Sequence, residues 1–112
     1  MTAGENTFIR VDAGICGFDC TIQAAVKEKT TVRLVFSDSA CEHIQRLGDR
    51  LREVTLKELF MPLSRNPIFV SAERAGCHPA CPVPAAVVKA AEVAMGLALP
   101  KSARIDFVRP GD

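Results

Sequence analysis

The groups in this chain with metal-binding or nucleophilic chemistry are five cysteines and two histidines, and they are unevenly spread. The densest stretch is Gly76-Cys77-His78-Pro79-Ala80-Cys81-Pro82-Val83-Pro84, where two cysteines and a histidine fall within five residues and a helix-forming run follows. Pro82 and Pro84 suit the first turn of a helix, where a missing N–H is no loss. Cys81 is therefore expected at or beside an N-cap. A thiol there meets the positive end of the helix dipole and free N–H donors, which favour the thiolate that binds metals and attacks electrophiles. Cys41 also opens a predicted helix, and Cys16 lies in a turn between two predicted strands. If strand-end turns and helix N-termini meet at one end of a sheet, Cys16, Cys41 and Cys81 give three ligands of a tetrahedral site, with Zn–S near ~2.3 Å were the metal zinc. The fourth ligand stays open among Asp19, His78, Cys20 and Cys77.

A plainer reading stands beside each of these. Cysteine is among the most buried residue types and often acts only as a small hydrophobe, which is the better account of Cys20 and Cys77. The spacings Cys16–Cys20 and Cys77–Cys81 are C-x3-C and do not match C-x2-C zinc hairpins. Asp19 suits a turn for its own sake. His78 suits a loop hydrogen bond as well as ligand or general-base duty. His43 follows Cys41 by two, about 200° round a helix, so it is read as solvated and off the site.

The elements that must position these groups follow from periodicity. Residues 8–13 alternate, with Ile9, Val11 and Ala13 opposed to Phe8, Arg10 and Asp12. Residues 21–27 alternate again, with Ile22, Ala24 and Val26 on one face. A polar turn leads to 31–36, where Val32, Leu34 and Phe36 share a face, so the last two strands form a hairpin and all three a meander. Ser39 and Glu42 have the spacing of a capping box, and Thr55 and Glu58 repeat it. Cys41, Ile44, Leu47, Gly48 and Leu51 form the apolar stripe of the first helix. Asn66-Pro67 is a helix start, and residues 68–75 read as one short helix ending at Gly76, with a strand at Ile68-Phe69-Val70 as the alternative. Residues 83–96 form the longest helix, ending at Gly96. Residues 103–108 alternate Ile105 and Phe107 with Arg104 and Asp106, a candidate fourth strand. The fold class expected is α+β: a three-stranded antiparallel meander with helices packed on one face.

Bulk properties narrow the function. The 112 residues make one domain, 1–112, large enough for a real core. A net charge of +1, six Phe, and no Tyr or Trp argue against a nucleic-acid surface. No apolar run approaches the roughly 18 residues of a membrane span. The polar start, residues 1–7, has no signal-like region, which with the cysteine usage points to the cytoplasm. Five cysteines cannot all pair within the chain. No glycine pair fits a nucleotide-binding fingerprint.

With Cys16-Gly17 in an early turn, Cys41 ahead of Ile44 and Leu47, and His78 and Cys81 ahead of the late helix, the chain resembles the U-type iron–sulfur cluster assembly scaffolds (NifU/IscU-like). It also looks like small bacterial and archaeal proteins bearing CGF and HxACPVP motifs, from which no activity carries over. The scaffold resemblance implies a nascent iron–sulfur cluster or zinc held by Cys16, Cys41 and Cys81 with Asp19 or His78. It also implies a sulfur donor and an acceptor apoprotein as partners, with a second copy of the chain as a further candidate. Two departures stand out: Phe18 separates Cys16-Gly17 from Asp19, and Pro79-Ala80 separate His78 from Cys81. The leading expectation is thus a metal or iron–sulfur scaffold without turnover. The first alternative is a thiol enzyme or persulfide carrier with Cys81 as nucleophile and His78 as base. The second is an interaction module whose cysteines only pack.

Overall fold

The computed structural model describes residues 6–14 and 18–111. Cys16 lies outside the described residues, as does the rest of the expected turn at 15–17. The chain runs β1 (Thr7–Asp12), β2 (Asp19–Glu28), β3 (Thr31–Ser37), α1 (Glu42–Arg50), β4 (Glu53–Thr55), α2 (Leu56–Leu59), α3 (Pro67–Ala75) and α4 (Val83–Ala94). The four strands pair antiparallel in the order β1-β2-β3-β4.

Register explains which face the helices cover. Ile9 lies opposite Ile22, and Ile22 opposite Phe36; Val26 meets Val32, and Val32 meets Val54. This set, with Val11, Cys20, Ala24 and Leu34, faces the core with α1, α3 and α4. The other face carries Phe8, Arg10, Arg33 and Val35, all exposed. On it Arg10 pairs with Asp19 at 3.0 Å and Lys27 with Glu53 at 3.1 Å. Ile22, Leu47, Ile68 and Val87 are each fully buried. Each such side chain contributes about 1.5–3 kcal/mol on transfer from water.

Two expectations are corrected. The fourth strand is β4, not residues 103–108. Glu53–Thr55 is only three residues long, with Val54 buried between flanking residues that are not, too short for alternation to register. Residues 103–108 join no sheet and are exposed throughout. The cap of α1 is Cys41 rather than Ser39: Asp38 takes a left-handed φ of 60° and turns the chain out of β3. The Ser39 hydroxyl then accepts the Cys41 N–H at 3.2 Å, and the first helical bond runs from Gln45 N–H to Cys41 O.

The remaining helix signals match. Thr55 and Glu58 form a reciprocal capping box on α2. Asn66 caps α3 with Pro67 in its first turn, and Gly76 closes it at φ 85°. None of the described helices is long and apolar enough to cross a membrane.

Candidate thiol–imidazole site

All four described cysteines and both histidines line one cavity of about 310 Å³. Its wall comes from three stretches far apart in sequence. Ala13, Phe18, Asp19 and Cys20 come from the β1–β2 end. Cys41, His43 and Ile44 come from the start of α1. Cys77, His78, Ala80, Cys81 and Val83 come from the α3–α4 connection.

Local structure fixes each donor. Cys20 stands on the helix-covered face of β2, two residues before Ile22, and is 1% exposed. Cys41 is held by the Ser39 turn, which Gln45 reinforces by donating Nε2–H to Ser39 O at 3.0 Å. Cys77 follows the left-handed Gly76. Its N–H bonds Ala72 O at 2.9 Å while Gly76 N–H bonds Glu73 O at 3.0 Å, a Schellman closure that folds the chain back over the end of α3. Cys81 closes a turn by donating its N–H to His78 O at 3.0 Å and stands just before Pro82, the N-cap of α4.

His43 belongs to the site, contrary to its reading as solvated. The 200° separation from Cys41 presumed that both were helical, whereas Cys41 is an extended N-cap and both side chains line the cavity. The His43 ring lies 5.8 Å from the His78 ring. Arg46 Nη2 sits 2.6 Å from His43 Nδ1, and Arg46 Nε donates to Ala75 O at 3.2 Å. His43 Nδ1 lies 3.2 Å from the same Ala75 carbonyl, so its tautomer decides whether it accepts from the Arg46 guanidinium or donates to that oxygen. In either tautomer Nδ1 is engaged by the Arg46 guanidinium or the Ala75 carbonyl, which holds the ring in place. Among the described residues no hydrogen bond engages the exposed His78 ring, so His78 is the better placed of the two as ligand or base. Asp19 lines the cavity, but its carboxylate is taken up by Arg10 on the open face of the sheet.

The thiols feel one another. Burial, then the charges of Cys81, Asp19 and Cys41, pushes Cys20 up from 9.0 to about 11. Burial, then Cys81 and Cys41, pushes Cys77 up to about 11 against a lowering pull from Arg46. Cys20 and Cys77 are thus thiols at neutral pH, and each thiolate formed nearby makes the next harder to form. A bound cation reverses that balance. The donor types, sulfur and imidazole, fit a thiophilic metal. Among the described residues no three His, Cys, Asp or Glu side chains already stand in metal-holding positions. Sequence reasoning set Cys20 and Cys77 aside as packed residues, and they are packed; the missed signal was the parity of Cys20 with Ile22 and the left-handed Gly76 ahead of Cys77.

Residues 7–107 match the family of unknown function DUF6951, and the chain belongs to it. No curated protein and no solved structure matches the chain.

Proposed function

We propose that this member of the DUF6951 family binds a thiophilic metal ion or an iron–sulfur cluster in the thiol–imidazole cavity, as a scaffold or carrier rather than a turnover enzyme. The convergence of Cys20, Cys41, Cys77, Cys81 and His78 from three separate stretches on one cavity supports the reading. Packing alone gives no reason for so many soft donors to share a wall. Cys41 and Cys81, each at a helix start and neither fully buried, are the primary ligands. His78 and Cys77 are next in reach, and rotation about one χ1 torsion repositions each sulfur. Cys16 enters as a ligand on sequence grounds; the described residues on either side of its turn, Ala13 and Phe18, line the cavity. Asp19, engaged by Arg10, is the weakest of the proposed ligands. The likeness to U-type scaffolds adds the cargo, a nascent cluster or zinc, and the partner classes, a sulfur donor and an acceptor apoprotein.

Bound metal would supply charge compensation for the thiolates. The chain supplies soft donors, a half-enclosed apolar wall, and the Arg46–His43 pair that fixes one ring beside them. Anaerobic reconstitution with iron and sulfide, followed by absorption spectroscopy and native mass spectrometry, tests this. Thiolate-to-iron charge-transfer bands are expected in the native chain and absent from a Cys16→Ser/Cys41→Ser/Cys81→Ser variant. Bands that survive in that variant, or a native chain that retains neither iron nor zinc, would defeat the proposal.

A further inference from the structure

Beyond α4, three large apolar side chains have no place in the core: Ile105 is 91%, Phe107 104% and Val108 76% exposed. They lie in the alternating stretch 103–108, most of which falls inside the family match at 7–107. Among the described residues Arg104 and Asp106 there pair with each other, at 3.3 Å. The pattern is that of a strand without a sheet.

The sheet has an edge to match. β1 is an outer strand. Ala13 N–H donates to Phe18 O across the β1–β2 ladder at 3.4 Å. By alternation Ile9 and Val11 turn their backbone groups toward β2, and Phe8, Arg10 and Asp12 turn theirs outward. Among the described residues no backbone hydrogen bond reaches that outer edge. An open edge of this kind is a template for another strand.

We propose that residues 104–108 of one chain add as an antiparallel strand to the outer edge of β1 in a second copy, and that the exchange is reciprocal. One register satisfies every position. With Asp106 opposite Arg10, Arg104 falls opposite Asp12, Val108 opposite Phe8, Phe107 opposite Ile9 and Ile105 opposite Val11. Both charged pairs are of opposite sign, and the other three are apolar. The faces agree as well: Ile105 and Phe107 extend the helix-covered face that Ile9 and Val11 share with α4, and the charged pairs lie on the open face with Arg10.

The neighbouring registers fail. A slip of one residue puts Ile105 and Phe107 on the charged face. A slip of two sets Arg104 against Arg10 in one direction and Asp106 against Asp12 in the other. Parallel pairing with Asp106 on Arg10 sets Val108 on Asp12. A second copy is the occupant because the chain carries both the strand and its complementary edge, so two copies related by a two-fold axis satisfy both edges and close.

Sedimentation equilibrium on the full chain and on two charge variants tests the proposal, with circular dichroism to verify folding. The native chain is expected to be a dimer at micromolar concentration. Arg10→Asp sets two acidic residues opposite each other at both exchanged edges, and Asp106→Arg sets two basic ones. Each variant alone should dimerise about tenfold or more weakly. An equimolar mixture of the two should recover the dimer, because each edge again joins opposite signs. Deletion of 103–112, which removes only exposed or undescribed residues, should give a folded monomer. A monomeric native chain overturns the proposal, including one whose segment is protected from protease by docking on its own β1. Variants that dimerise like the native chain, or a mixture that does not recover, overturn the register.

Discussion

Cys20 and Gly76 set the site at the scale of single residues, and each makes a prediction. Cys20 is packed in the core and also faces the cavity, so its ionisation is linked to folding. Its thiol is raised in the folded state from 9.0 to about 11, mainly by burial. Between these values the unfolded chain has lost a proton that the folded chain keeps, so stability falls as pH rises. The contribution is fully present below pH 9, is lost progressively toward pH 11, and amounts to roughly 2–3 kcal/mol at about 1.4 kcal/mol per pKa unit. Urea unfolding at pH 8 and pH 10.5 should show the loss, and Cys20→Ala should reduce it, the remainder belonging to Cys77, which is raised as far; an unchanged slope in that variant would assign the alkaline sensitivity elsewhere. Gly76 has φ 85°, and a Cβ there would meet His43 Nδ1 at 2.9 Å and Cε1 at 3.2 Å. The left-handed conformation alone costs a non-glycine residue about 1–2 kcal/mol. Gly76→Ala should therefore lower the melting temperature and also disturb the His43 ring resonance, whereas Gly14→Ala, with open space around it, should leave the ring alone.

Between elements, Asn66 does more than begin a helix. It is 3% exposed, and its Oδ1 accepts from Ile68 N–H at 3.0 Å. Its Nδ2 lies within 3.2–3.3 Å of the carbonyls of Glu58, Leu59 and Met61, tying the end of α2 to the start of α3. Asn66→Ala removes a cap worth about 1 kcal/mol and leaves buried carbonyls unpaired at about 1–3 kcal/mol more. Thermal unfolding should show a total near 2–4 kcal/mol, and Asn66→Asp should cost at least as much, because its buried carboxylate keeps the cap but sets an oxygen against the three carbonyls. This helix start was legible because its chemistry is local: Asn then Pro, like Thr55 with Glu58, needs no knowledge of the rest of the fold. Ser39 and Glu42 had the same spacing, but a left-handed Asp38 redirected the Ser39 hydroxyl to Cys41. β4 was illegible because three residues give no period, and its place is set by β3 already being there. The alternation at 103–108 was legible, but the expected strand does not form within the fold, because alternation says nothing about whether a sheet edge is in reach. At the site, Cys41 and Cys81 were legible from helix starts, while Cys20, Cys77 and His43 depended on how strands and caps turn side chains into a shared space.

Across the whole molecule, the cavity joins the β1–β2 end, the start of α1 and the α3–α4 connection, three stretches that no single element links. A ligand bound there bridges the first and last parts of the fold and exists only when they are docked, so it binds the folded chain and not the unfolded one. Mass action then stabilises the fold by about 2.7 kcal/mol at a metal concentration of 100 times Kd, a rise of about 10 °C for a domain of this size. Cys20 and Cys77, raised to about 11, must lose their protons if they ligate, so affinity should climb about tenfold per pH unit for each proton displaced. Titrating the chain with zinc at pH 7 and pH 8.5 while following the melting temperature separates the possibilities. A large shift that steepens with pH and is lost in Cys41→Ser/Cys81→Ser places the metal among the cavity thiols. An equal shift in that variant places it elsewhere on the chain, and no shift at either pH leaves the clustered sulfurs as packing alone.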